Sequence, residues 1–370
     1  MTTHKLIRLS LFGAMLLLLP LQAVQADRPS LASLQEQINQ LQAQVNALQA
    51  QLGAVQGNSV LQLNGKLSLN TSDPARPTAL FTGVNVQVVN GLYATASANN
   101  VGNLIVGYNE PFGTPARNGS HNIVLGPQHE YTSYGGFVAG LRNTISAMYA
   151  GVSGGFGNTA SGNYASVSGG RNNIASGLYS SVSGGYGNTA FADYSAVLGG
   201  HTNLTGDPAK INHLIGQYSS VSGGGINTAS GYSASVSGGS FNTASGGYGS
   251  SVSGGYDNTA FADSSAVLGG GGNLAGDPLK INHTLGVYSS VSGGSFNTAS
   301  GDRSSVSGGG GNTASEAYAS VSGGDANTAS KGFASVSGGY KNNASGYYSS
   351  VLGGNTQNAT GSYQTIPALP

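Results

Sequence analysis

The chain has no cysteine and no tryptophan, and only 7% of its 370 residues are charged. Without cysteine there is neither a disulfide framework nor a lipid-modified thiol, so stability has to come from repeated backbone hydrogen bonds. Formal charge is zero. Removing Lys5 and Arg8 with the leader described below leaves 11 basic against 13 acidic residues. No basic field exists to collect phosphates, which excludes nucleic acid as an expected partner. Beyond the leader no run is apolar enough to span a membrane as a helix. What the chain has instead is glycine, 62 residues of it, a composition that argues against ordinary globular domains.

The first 26 residues, MTTHKLIRLSLFGAMLLLLPLQAVQA, carry Lys5 and Arg8, an apolar run from Leu9 to Leu21 and small residues at Val24 and Ala26. This reads as a secretory signal cleaved before Asp27, because the run is shorter than the 20 or so residues that span a bilayer. The mature protein is therefore expected to be exported, to the cell surface or the medium.

Residues 27–57 follow with Leu31, Leu34, Ile38, Leu41, Val45, Leu48, Leu52 and Val55 spaced alternately three and four apart. That is a heptad seam, and its flanking positions (Gln35, Gln37, Gln42, Gln44, Gln49, Gln51, Gln56) carry no charge. Nothing electrostatic excludes self-pairing, so the spacing predicts a parallel homo-oligomeric coiled coil of about 39 Å, ended by Gly53 and Gly57. The mixed residues of the seam do not decide between two and three strands.

From Val152 the phrase V-[S/L]-G-G recurs thirteen times, at steps of 15 residues, once 16 and twice 24. Six positions after each valine stands an asparagine: Asn158, Asn173, Asn188, Asn203, Asn227, Asn242, Asn258, Asn273, Asn297, Asn312, Asn327 and Asn342, with Gln357 in the last copy. An alanine follows two further on in every copy except that of Thr205, and three before the valine is usually a tyrosine. Fifteen residues are too few for a helical hairpin but fit two short strands and two turns. Alternation then puts valine, asparagine and alanine inward and serine and threonine outward, with glycine closing the turns. If one copy makes one coil, like residues stack at about 4.8 Å, with the asparagine amides satisfying one another. Degenerate copies at Val106, Val124 and Val138 extend the count to about sixteen rungs, a rod of roughly 75 Å. The expected fold is thus all-β, a parallel β-solenoid over residues 101–361. Residues 58–100 read as an N-terminal β cap containing the strand-like FTGVNVQVVNG, and residues 362–370 as a C-terminal tail.

The two 24-residue steps hold related insertions, Thr205 to Gly216 and Ala275 to Gly286, inside a 70-residue duplication. They read as lateral projections and candidate binding loops, with Asp207, Lys210, Ile211, His213 and their counterparts Asp277, Lys280, Ile281, His283 as the candidate residues; a structural bulge is the plainer alternative.

The pattern V-x-G-G-x-x-N-x-A-x-G resembles the head repeat of trimeric autotransporter adhesins, the YadA-like head, over roughly residues 100–361. That resemblance implies a left-handed parallel β-roll, a homotrimer, and a cell-surface or secreted fibre that adheres to matrix proteins, glycans or other surfaces. It carries no ligand residues, because none are fixed by the repeat. In that family the coiled stalk follows the head, whereas the heptads here precede the repeats. The membrane-embedded β-barrel that ends the family's chains has no counterpart in the last residues here, so release or retention through another protein is expected.

Catalysis is not expected. The acids Asp193, Asp257, Asp263, Asp302, Glu316 and Asp325 are scattered one per turn and form no pair of the kind a polysaccharide-processing solenoid needs. No cofactor or metal is expected either, since the His and acid groupings (Asp207 with His213, Asp277 with His283, His121 with His129 and Glu130) lack a ligand spacing. A rival reading takes the outward Thr-x-Ser positions, such as Thr159 with Ser161 and Thr298 with Ser300, as a hydroxyl grid that orders water or binds ice.

Overall fold

A computed structural model describes residues 29–57 and 63–367. The signal sequence and residues 58–62 of the expected cap lie outside the described residues. The chain divides into two units between Val86 and Gln87.

In the first unit Leu31–Gln56 forms an α-helix. Ser30 caps it, its hydroxyl accepting the Ser33 N–H at 3.1 Å. Gly53, expected to end the helix, lies within it. The end comes at Gly57, whose N–H bonds the Gly53 carbonyl at 2.9 Å and so satisfies a last-turn acceptor. Strands Leu67–Asn70 and Thr78–Phe81 form an antiparallel hairpin. The valines after Phe81, expected to continue as a strand, do not: Gly83 takes a φ of +65°, which turns the chain out of the extended path.

The second unit is a parallel β-solenoid of about 18 turns. Its rungs carry two ladders of very short strands. The valine sheet runs from Leu104–Val106 through pairs such as Ser166–Val167 and Ser181–Val182 to Thr365–Ile366. The alanine sheet runs from Glu130–Tyr131 through pairs such as Thr159–Ala160 and Ile174–Ala175 to Asn358–Ala359. Between them a single bridge residue continues a third ladder, as in Phe156 to Arg171 to Tyr186. Thr365–Ile366 pairs with Ser350–Val351, so the solenoid continues into the segment read as a tail.

Two residues per strand would be worthless alone; the rungs hold because each donates a full set of backbone bonds to the next. Ser166 N–H meets Ser180 O at 3.0 Å, Ser168 meets Val182 at 2.9 Å, Arg171 meets Gly185 at 2.9 Å and Ile174 meets Asn188 at 2.8 Å. The core between the sheets is a row of valines and a row that is mostly alanine, with Tyr131 and Ile145 in its first rungs and Thr205 in one later rung, joined by further alanines such as Ala150 and Ala165, all buried from Val124 to Ala359. Identical side chains fall in register because the 15-residue period matches one turn, and the two 24-residue steps keep register by looping out their extra residues: Ala196 pairs with Ser220, and Ala266 with Ser290.

Not every turn uses glycine. Tyr149, Tyr164, Tyr179, Tyr194 and Tyr218 have φ between 55° and 60°, and the β-branched Ile226 has 56°. Such residues cost roughly 1–2 kcal/mol each in this region. The left-handed turn reverses the peptide, so that Tyr179 N–H bonds the preceding rung, at Asn163 O (2.9 Å), and Ile226 bonds His201 O (3.0 Å). A bond to the rung behind offsets the local strain.

Candidate functional site

An asparagine ladder links each rung to the next. All twelve residues from Asn158 to Asn342 are buried. Their amides do not stack on one another as the sequence suggested; they bond main chain. Asn173 Oδ1 accepts the Asn188 N–H of the next rung at 2.9 Å, while its Nδ2 donates to Gly169 O at 2.9 Å and Gly185 O at 3.0 Å. The reason is geometric: the first glycine of each pair, such as Gly169, has a carbonyl with no backbone donor, while the second glycine of the next rung, Gly185, already accepts the Arg171 N–H and takes the amide as a second donor. The ladder is also longer than the repeat indicated. Asn143 belongs to it, and so does the fully buried His129.

The tyrosines form exposed stacks along one edge. Tyr149, Tyr164, Tyr179, Tyr194 and Tyr218 lie with centroids 4.7–5.5 Å apart, and Tyr318, Phe333, Tyr348 and Tyr363 at 4.7–4.9 Å. Ring faces are occupied by neighbouring rings, which leaves edges and hydroxyls for any ligand.

The two insertions are built alike and fold back over the alanine sheet. Asp207 accepts three backbone N–H groups, from Ala209 at 2.9 Å and from Ile211 and Asn212 at 3.0 Å. Those bonds hold its carboxyl below the usual aspartate range. His213 stacks on Phe191 at 4.0 Å and its Nδ1 bonds the Phe191 carbonyl. In the second copy Asp277 accepts from Leu279, Ile281 and Asn282, which lowers its pKa likewise, and His283 stacks on Phe261 at 4.2 Å. Lys280 Nζ reaches Thr259 Oγ1 at 3.3 Å. The acids and histidines therefore shape the loops, and the outward groups are Lys210 and the apolar Ile211, Leu214, Leu279 and Ile281. Ile211 is 82% exposed and Ile281 77%. Four rungs separate the copies, about 19 Å along the axis.

No family model and no curated protein matches this chain.

The eight heptad residues Leu31, Leu34, Ile38, Leu41, Val45, Leu48, Leu52 and Val55 are all exposed on the single chain, Leu31 by 89%. The Thr-x-Ser positions do point outward, but Thr189 and Thr259 are buried under the insertions. With Ile174, Leu204, Leu274, Asn343 and Asn358 also in that row, its longest unbroken run is three threonines, Thr298, Thr313 and Thr328. Among the described residues no three His, Asp or Glu side chains gather as a metal site; His121 bonds Asn90 N–H and Thr95 O, and His129 lies in the ladder.

One feature lies outside the repeat pattern. An open cleft of about 570 Å³ on the early rungs is lined by Phe112, Glu130, Arg142, Phe156 and Arg171 among others. Its only sequence signal was two arginines 29 positions apart in a chain with few charges, one residue short of two repeats.

Proposed function

We propose that this is an exported, fibrous adhesin-like protein that works as a homotrimer and binds a surface, matrix protein or glycan through its rod, without catalysis. The observation that carries the reading is the heptad helix, whose apolar seam is exposed along its whole length on one chain. Eight aliphatic residues in a continuous stripe need an apolar partner, and an uncharged glutamine flank makes identical copies suitable partners. Three strands, and the left-handed YadA-like roll, rest on the resemblance of the repeat.

The rod suits adhesion physically. Its rungs are bonded to one another along the whole solenoid, the insertion loops are braced by Asp207 and Asp277, and their apolar tips recur on each chain. In a trimer six such loops would act together, so weak individual contacts multiply into avidity.

Sedimentation equilibrium of the chain from Asp27 onward, beside a version lacking residues 27–57, tests the assembly. A trimer that loosens without the helix supports the reading. A monomer in both removes its foundation.

A further inference from the structure

We propose that the cleft around Arg142 and Arg171 binds an acidic polysaccharide, a glycan bearing carboxylate or sulfate groups. The inference rests on the adhesive reading and names the ligand class and a site for it.

The two guanidinium groups are pre-positioned and unused. Arg142 lies over the Phe112 ring at 3.7 Å, and Arg171 lies 5.4 Å from the Phe156 centroid and 5.9 Å from that of Tyr186. Among the described residues neither guanidinium has a hydrogen-bond acceptor, and Arg76 with Asp73 is the one ion pair. Arg117, close in sequence, behaves otherwise: it bonds His129 O, Asn109 Oδ1 and Glu110 O. Stacking on an aromatic face restricts a guanidinium while leaving its edge donors free, the state in which planar oxyanions are bound with least further ordering.

The spacing favours an extended ligand. Leu141, Phe156 and Arg171 lie side by side on successive rungs. Arg142 therefore sits two rungs from Arg171, about 10 Å along the axis. Gly157, with no side chain, occupies the rung between them. A cleft of this volume is of the size that holds one or two sugar rings rather than a single inorganic ion.

The rest of the lining favours sugar over phosphate polymers. Gln128, Thr144 and Asn172 are neutral groups that both donate and accept, as hydroxyl recognition requires. Glu130 reduces the local charge to about one positive unit, which suits an occasional acid on a hydroxyl-rich chain and disfavours a polyphosphate. Arg142 and Arg171 are the only cationic side chains in the lining, far short of the basic stripe that a polyphosphate backbone needs.

The test uses the chain from Asp27 onward and four probes: oligogalacturonate, dextran sulfate, plain dextran and a single-stranded oligonucleotide, with affinities measured by biolayer interferometry. Oligogalacturonate or dextran sulfate should bind, and whichever binds tighter identifies carboxylate or sulfate. R142Q/R171Q should weaken that binding by about tenfold or more, R142K/R171K should fall between, and K331Q on a distant rung should match the parent. Both arginines are exposed, and unchanged circular-dichroism melting shows that the variants fold. The proposal is overturned if neither acidic glycan binds, if R142Q/R171Q binds as the parent does, or if the oligonucleotide competes equally. Binding to plain dextran or to matrix proteins that survives R142Q/R171Q sinks this site and leaves the adhesive reading standing; failure to adhere to any glycan or matrix protein sinks both.

Discussion

The Nδ1 atom of His129 accepts the backbone N–H of Asn143 at 3.2 Å, the bond that an asparagine Oδ1 accepts in every later rung up to Gln357. Its Nε2 donates to the Leu125 carbonyl at 2.9 Å, as the asparagine Nδ2 donates to a glycine carbonyl. Imidazole thus stands in for the amide, and only its neutral form can accept at Nδ1 while donating at Nε2.

A pH dependence follows from that bond. Burial pushes the His129 pKa below its ordinary value of 6.5, and the charge of Arg117 acts in the same direction. A base with a lowered folded pKa binds fewer protons when folded, so its contribution is complete above 6.5 and declines as pH falls below it. Amide hydrogen exchange around Asn143, corrected for intrinsic rates, should lose protection between neutral pH and pH 5, whereas rungs past Val221 should not. His129→Asn should abolish the difference between the two regions; equal loss in both would show that His129 is not the sensor.

The ladder asparagines should be among the most sensitive positions in the rod. Asn188→Ala leaves the Asn203 N–H and the Gly184 carbonyl without the partners they now have at 2.9 Å, while the Gly200 carbonyl keeps the Tyr186 N–H. At roughly 1–3 kcal/mol for each of the two groups left unpaired, the local cost is about 2–4 kcal/mol. Hydrogen exchange at Asn203 is the appropriate readout, because a repeat array need not unfold in two states. A cost under about 1 kcal/mol would mean that water or a backbone shift replaces the amide.

The two glycines of each G-G pair are not equivalent. A Cβ on Gly184 meets nothing within 4 Å, whereas on Gly185, at φ +91°, it would lie 2.1 Å from the Gly200 carbonyl oxygen. Gly184→Ala should change stability by less than about 1 kcal/mol. Gly185→Ala should cost more than about 3 kcal/mol, since strain and a backbone clash add. Thermal melting of the two variants side by side decides the matter, and equal melting temperatures would contradict the packing described.

Acid should release the insertion loops before the rungs. The Asp207 and Asp277 carboxylates are held as anions by three N–H donors each, so their stabilisation is complete above the ordinary aspartate range and is lost as pH falls through their lowered values. Limited proteolysis with pepsin should cut first within residues 207–216 and 277–286. Asp207→Ala should make the first loop labile at neutral pH while the second stays resistant.

The periodic part of the fold was legible because it is periodic. When a 15-residue period equals one turn, residues fifteen apart become neighbours at strand spacing, and the valine, alanine and asparagine rows follow from reading every fifteenth letter. The same reading takes the insertions as lateral projections; that they leave the register intact is given by the pairing of Ala196 with Ser220. Where the repeat degenerates, periodicity fails: Asn143 stands one position nearer its valine than the later asparagines do, and His129 is chemically unlike them, so neither was recognised as a ladder member.

By itself the sequence determined the solenoid, its core rows and the heptad stripe, because each depends only on which residues recur at a fixed interval. Tertiary structure alone decided which glycine of each pair is obligatory, that asparagine amides bond main chain, that tyrosines occupy left-handed turns, and that the insertions lie back on Phe191 and Phe261. It also brought Phe112, Arg142 and Arg171 to one cleft. Those outcomes depend on the direction in which each turn points its carbonyls and side chains, a property of backbone dihedral angles that no residue interval encodes.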